Sequence, residues 1–132
     1  MIIEKLPILT LEAIVGLKGS MRGDDEYFVE AIERNECELW KVGDDSYMIT
    51  RIEINKFKDD NLTLVICCFG GRNIWKAFDR LRELSKLNGY GGIRFHTDIP
   101  HDKVLKMCPA EIDISDVKQV ERVYYWDAKN GK

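Results

Sequence analysis

A strand–helix–strand segment in the middle of the chain constrains the fold more than any other part of the sequence. Leu62–Phe69 is the most continuously apolar stretch, and such a run is typical of a strand that is covered on both faces. Two glycines end this strand, and apolar residues then recur at intervals of three and four from Ile74 to Leu87, which predicts an amphipathic helix. Ile93–Thr97 is a second short strand. Because strands joined by a single crossover helix lie parallel in one sheet, the segment predicts a central parallel strand pair in an α/β fold.

Further helices and strands are predicted on both sides of this segment. Thr10 is a candidate N-cap for a first helix, with Leu11, Ile14, Val15 and Leu17 on its buried side. The predicted elements are a strand at Ile2–Leu6, that helix, a helix from Asp24, a hairpin of Cys37–Val42 and Tyr47–Asn55, the central segment, a short helix at Pro100–Met107 and a strand at Val120–Trp126. The chain is therefore expected to be one domain, residues 1–132, with a mixed sheet in the order β-α-α-β-β-β-α-β-α-β.

Composition excludes several classes of protein. The 132 residues are 45% hydrophobic and 33% charged, which suits one globular domain and argues against disorder. A net charge of −3 speaks against nucleic-acid binding through a general positive field. No apolar run approaches the roughly 18 residues of a membrane span, and Met1–Lys5 lacks the layout of a secretory signal. A cytoplasmic protein is expected.

The four cysteines are expected to be reduced thiols that pack as small apolar side chains. Cys67 and Cys68 are adjacent, so on a regular strand they would point to opposite faces, and no CxxC pair is available for a zinc site. Cys37 and Cys108 stand alone in the sequence. A nucleophilic cysteine is the alternative interpretation.

The element order and the central segment, which continues through Asn88-Gly89-Tyr90 to the second parallel strand, resemble the GNAT superfamily of N-acetyltransferases over nearly the whole chain. Similar small and degenerate versions occur among bacteriophage proteins. The resemblance implies an acetyl-CoA slot between the two parallel strands, with phosphates held by backbone amides at the helix start. The implied cofactor-binding residues are Cys67, Cys68 and Phe69 beside the pantetheine arm, and Gly70, Gly71, Arg72 and Asn73 beside the phosphates.

The phosphate-binding turn departs from the pattern of that family. The pattern is Arg or Gln, two residues, Gly, one residue, then Gly or Ala. Arg72 and Ala77 fit this pattern, but Trp75 stands where glycine would let the backbone approach a phosphate. Lys76 and Arg80 follow Arg72 at intervals of four, where they could assist a phosphate or simply form a solvated helix face.

Acyl transfer to an amine also needs a base and an acid, and candidates for both are present. By the same resemblance, Glu53 is the candidate base, and Tyr124 or Tyr125 the candidate acid; His96 is a further titratable residue on the second parallel strand. Each has a plainer interpretation: Glu53 as a solvent-facing carboxylate, His96 as a hydrogen-bonded strand residue, and the tyrosines as core or rim aromatics.

Other chemistry has less support in the sequence. His96 and His101 alternate with Asp98 and Asp102, but capping of a short helix explains this cluster more simply than a metal site, and no metal is expected. The turn after the central strand contains no serine for a hydrolase nucleophile.

Two hypotheses about function remain open at this stage. The first is an acetyl-CoA-dependent N-acyltransferase with an unidentified amine-bearing acceptor. The second is a catalytically silent GNAT-like module, for example a virion or host-interacting protein, that binds a protein partner or self-associates through Trp40, Tyr125 or Trp126. Trp75 favours the second hypothesis, and the element order favours the first.

Overall fold

The computed structural model of the chain describes residues 3–54, 62–72, 74–95, 100–115 and 117. The chain forms two compact units, Met1–Asp98 and Ile99–Lys132, which are described separately, and the single domain expected from the sequence stays a prediction. The elements are β1 (Ile3–Leu6), α1 (Leu11–Met21), α2 (Asp25–Glu33), β2 (Glu38–Val42), β3 (Ser46–Ile54), β4 (Leu62–Gly70), α3 (Ile74–Asn88), β5 (Gly92–Phe95) and α4 (His101–Lys106).

The strands of the first unit form one mixed sheet in the order β1-β2-β3-β4-β5. Neighbours from β1 to β4 are antiparallel, and β4 pairs with β5 in parallel, from Thr63 opposite Gly92 to Ile66 opposite Phe95. The hairpin and the parallel strand pair predicted from the sequence are therefore confirmed. A mixed α/β fold is likewise confirmed.

The helix α1 starts where the sequence predicts, and its buried side is predicted in part. Thr10 caps it, with the Thr10 hydroxyl accepting a hydrogen bond from the Ala13 amide at 3.2 Å. Of the residues predicted to be buried, Leu17 is buried and Ile14 packs against the same apolar cluster, whereas Leu11 and Val15 are 76% and 68% exposed. The prediction was wrong at Leu11 and Val15 because it counted large apolar side chains, whereas the helix contacts the sheet through a face that includes the small residue Ala13.

The helix α3 covers the opposite face of β4 and β5. Four residues predicted on its inner side, Trp75, Ala77, Phe78 and Leu81, are buried, and so is Ser85. Leu87, expected on the buried side, is instead exposed one residue before the helix ends. The crossover from β4 through α3 to β5 thus places one helix over the parallel pair.

A bulge in β4 changes the direction of its side chains. Ile49 lies opposite Cys68 and Thr50 lies opposite Ile66, so Cys67 is an extra residue on β4. Cys68 belongs to the apolar cluster under α1 and α2, and Cys67 packs against the same cluster. The predicted placement of these two cysteines on opposite faces is therefore wrong, because a bulge interrupts the alternation of a strand.

The second unit contains the short helix predicted after Pro100. It runs over His101–Lys106, with Pro100 at its N-cap and Met107 at its C-cap. The predicted strand Val120–Trp126 lies outside the described residues. No helix in the described part of the chain is long and apolar enough to cross a membrane.

Candidate functional site

The last residues of β4, where the resemblance implies a pantetheine arm, contact α1 directly. Among the described residues, the last pair between β4 and β5 is Ile66 with Phe95, and Phe69 lies three residues further along β4. The Phe69 amide donates a hydrogen bond to the Ser20 hydroxyl at 3.0 Å. A Cβ atom on Gly70 would lie 1.9 Å from the Gly16 carbonyl oxygen, so the two backbones touch here. The C-terminal half of α1 therefore rests on the end of β4.

The turn between β4 and α3 is tightly packed on one side. Gly71 has a φ of +137°, and a Cβ there would lie 2.0 Å from the Ser46 hydroxyl, so only glycine fits. Arg72 is exposed beside it, and Asn73 lies outside the described residues. Gly71, one of the predicted phosphate-binding residues, is therefore required as glycine by its backbone conformation and its contact with Ser46, whether or not a phosphate binds.

Trp75 packs into the space between α3 and β5. Its side chain is 2% exposed, and its ring meets Phe78 and Phe95 edge to face, with centroid distances of 5.3 and 5.7 Å. Such pairs stabilise a core beyond the area that they bury. The indole at the position of the family glycine is therefore a core side chain.

Three thiols lie near the apolar cluster under α1 and α2, and all are free. A hydrogen bond with Cys67 and the charge of Arg51 lower the pKa of Cys37, whereas the same hydrogen bond, together with burial, raises the pKa of Cys67. Burial raises the pKa of Cys68 to about 11. Thiols held in the neutral form are poor nucleophiles, which favours packing over catalysis for Cys67 and Cys68.

The candidate base Glu53 is paired with two guanidinium groups. One carboxylate oxygen accepts a hydrogen bond from Arg51 at 3.0 Å, and the other accepts one from Arg94 on β5. Sequence reasoning missed both arginines. Alternation along β3 could have placed Arg51 beside Glu53, but the contact with Arg94 depends on the register of β4 between them.

These charged residues lie on the same face of the sheet as α1, beyond the part of that face that α1 covers. Arg51, Val65 and Arg94 form one row across β3, β4 and β5, and Glu53, Thr63 and Gly92 form the next. We call Arg51, Glu53, Thr63 and Arg94 the polar sheet face. Within the described residues, three buried polar atoms of this face have no hydrogen-bond partner, and these are Arg51 Nε, Arg94 Nε and Thr63 Oγ1.

Tyr124, Tyr125 and His96 lie outside the described residues. Among the residues that are described, no group of three or more His, Cys, Asp or Glu side chains could hold a metal ion. Comparison of the chain with protein-family models, with curated proteins and with solved structures finds no match.

Proposed function

We propose that this chain is a GNAT-like domain that acts as a binding module, and that α1 takes the place of the acyl-CoA arm. The contact between α1 and the end of β4 carries this proposal. A pantetheine arm would need free backbone groups on β4 past its pairing with β5, but the Phe69 amide is already bonded to Ser20. The approach of Gly70 to the Gly16 carbonyl leaves no room for a ligand at that point.

Two further contacts support a silent site. The Trp75 indole is packed in the core. Replacing it with glycine to restore the phosphate-binding turn of the family would therefore lower the free energy of unfolding and disturb the packing of the core. Glu53 accepts a charge-assisted hydrogen bond on each carboxylate oxygen, so both oxygens already have a partner where an incoming amine would need one.

An acetyl-CoA-dependent N-acyltransferase acting on an amine-bearing acceptor is the second candidate. The β4 bulge favours it, because a bulge bends a strand, and β4 runs on past its last pair with the described residues of β5. In that function Tyr124 or Tyr125 would donate a proton to the thiolate, and the exposed Arg72 would approach the phosphates.

Thermal melting with acetyl-CoA separates the two candidates. A cofactor at 100 times its Kd adds about 2.7 kcal/mol to the free energy of unfolding, which corresponds to a rise of roughly 10 °C in the melting temperature of a domain of this size. We expect no rise in the melting temperature of the wild-type chain at millimolar acetyl-CoA. A rise that appears only in the Ser20→Ala variant, which frees the Phe69 amide, would support the proposal that α1 blocks the cofactor slot. A rise of several degrees in the wild type would instead establish cofactor binding and favour the enzyme.

Self-association is the binding mode that exposed apolar residues support best. Ile54 and Leu62 are paired neighbours at the ends of β3 and β4, and both are exposed, as is Ile52 on the same face. Light scattering should give a mass above one chain for the wild type at high concentration, and a lower mass for Ile54→Ser. Leu87→Ser is the control, because Leu87 is exposed on α3. A wild-type chain that stays monomeric would contradict self-association.

A further inference from the structure

The polar sheet face carries an excess of positive charge. Two guanidinium groups and one carboxylate give this face a formal charge of +1, in a chain whose net charge is −3. Glu53 pairs with one terminal nitrogen of each arginine, Nη2 of Arg51 and Nη2 of Arg94. The carboxylate therefore holds the two guanidinium groups together without using all of their N–H groups, since arginine has five.

The unused polar atoms of this face are mainly hydrogen-bond donors. Arg51 Nε and Arg94 Nε are buried without an acceptor among the described residues, and so is the Thr63 hydroxyl, on a residue that is only 5% exposed. Buried donors without an acceptor cost free energy, and such groups in a folded protein call for a water molecule, an ion or a ligand. Arginine cannot accept a hydrogen bond, so the missing partner must be an acceptor.

Space for a small group lies beside these donors. Gly92 is the partner of Thr63 on β5, and a Cβ atom built on Gly92 meets no heavy atom within 4 Å. Because Arg94 is two residues further along β5, its side chain leaves the sheet on the same face as the missing side chain of Gly92. The result is a recess with Thr63 and Gly92 at its base and Arg94 at its side.

We propose that the polar sheet face binds a small oxyanion, the phosphate or carboxylate group of a ligand, in the recess over Gly92 and Thr63. Arg94 and the Thr63 hydroxyl donate to the anion, and Arg51 supplies further positive charge. Planar guanidinium groups suit phosphate and carboxylate oxygens because they offer two parallel N–H bonds. Glu53 keeps both arginines in position. This site is separate from the predicted acyl-CoA slot and does not depend on whether that slot binds cofactor.

Nuclear magnetic resonance of the arginine side chains tests the site directly. The wild-type chain is titrated with inorganic phosphate and, in a second series, with acetate, each against sodium chloride at equal ionic strength. We expect the Nε–H signals of Arg51 and Arg94 to shift and saturate with a Kd on the order of 1 mM, and the melting temperature to rise. The anion with the larger response identifies a tetrahedral or a planar ligand group.

Substitutions at the recess separate a site from general charge attraction. Gly92→Val fills the recess with a side chain that suits a strand, so we expect a folded chain with at least tenfold weaker anion binding. Arg94→Gln should weaken binding to a similar degree. Arg80→Gln removes an exposed arginine of α3 and should leave the Kd unchanged. Equal binding by wild type and folded Gly92→Val, or responses to phosphate and acetate no larger than those to chloride, would overturn the proposal.

Discussion

Glu53 links two strands through charged hydrogen bonds that are only partly open to water. Its side chain is 27% exposed, and those of Arg94 and Arg51 are 16% and 39% exposed. Removing one partner of an ion pair at this depth costs more than removing one on the surface, where solvent screens the charges, but less than breaking a fully buried pair, which leaves an unpaired buried charge. Glu53 therefore acts first as a structural residue that positions two arginines.

The substitution Glu53→Gln measures this contribution. Gln keeps the shape of the side chain but removes the charge that both arginines share, so we expect the free energy of unfolding to fall by roughly 1–2 kcal/mol, after allowance for partial exposure. Urea denaturation gives the value. Glu30→Gln is the matched control, because Glu30 and Arg34 form an exposed pair at 3.7 Å, and its loss should stay below about 0.5 kcal/mol. Equal losses for the two variants would show that Glu53 is an ordinary surface charge.

For single residues, the sequence predicts which side chains are candidates for a site better than it predicts the contacts of those side chains. Glu53 stands out because it is a carboxylate on a strand beside the apolar central strand, and that position is correct. Its pairing with Arg94 could not be predicted, because it requires the register of two strand pairs at once. The burial of Trp75 follows from the spacing of apolar residues along α3, but its contact with Phe95 does not.

The contact between α1 and β4 depends on residues without side chains. Gly70 lets the strand backbone touch the Gly16 carbonyl of α1, and Ser20, one turn further along α1, bonds the Phe69 amide; a Cβ atom on Gly16 would instead lie 2.9 Å from the Tyr47 ring on β3. A close approach of this kind gives many atomic contacts but tolerates no added volume. Helix α1 and strand β4 thus fit each other only while position 70 stays glycine.

Two Gly→Ala substitutions compare a contact position with an open one. Gly70→Ala places its Cβ 1.9 Å from a backbone oxygen, which cannot rotate away, so we expect α1 to be displaced and the unfolding free energy to fall by roughly 3 kcal/mol. A Cβ atom on Gly19 of α1 would meet no heavy atom within 4 Å, so we expect Gly19→Ala to raise the free energy of unfolding by up to about 1 kcal/mol. Thermal or urea denaturation of both variants gives the comparison. Similar values would contradict the backbone contact.

Helices and strands with strong periodicity could be predicted from the sequence, but for some of them the face that is buried could not. The hairpin, α3 and the parallel pair follow from local patterns of apolar residues, and all are present. The buried face of α1 was predicted correctly at Leu17 but not at Leu11 and Val15, because Ala13 and Gly16, which face the sheet, carry little hydrophobic signal. The bulge at Cys67 has no local signal, since it exists only relative to the register of β3.

On the scale of the whole molecule, the apolar cluster between the sheet and the first two helices links stability to pH. Cys68 is almost fully buried in this cluster, and burial raises its pKa to about 11. The unfolded thiol ionises near pH 9, whereas the folded thiol keeps its proton. Between these two values only the unfolded state releases the proton, so the free energy of unfolding must fall as pH rises.

We therefore expect stability to fall between about pH 9 and pH 11, with Cys68 contributing roughly 2–3 kcal/mol to the loss. Urea denaturation at intervals across this range measures the decline. Lysine and tyrosine residues titrate in the same range, so the informative value is the difference between wild type and Cys68→Ala. The variant should be less stable at neutral pH and should lose less stability on going to pH 11. Parallel curves for the two proteins would contradict a raised thiol pKa.

The class of fold could be predicted for the whole chain, whereas its function depends on contacts that no pattern in the sequence reveals. A mixed α/β sheet with a parallel pair follows from the order of elements. The contacts on which the proposed loss of acetyl-CoA binding rests involve Ser20 and Gly16, residues of the first helix that were not among the candidates. Sequence separation explains the omission, since Ser20 and Phe69 are 49 positions apart.

The extra residue in β4 also decides which change of length this strand can accept. Ile66 and Cys68, on either side of Cys67, already pair with the consecutive residues Thr50 and Ile49. Deleting Cys67 would therefore leave a regular ladder in which every remaining side chain keeps its present face. Descendants of this sequence should tolerate the loss of position 67 more readily than the loss of a residue that pairs with β3.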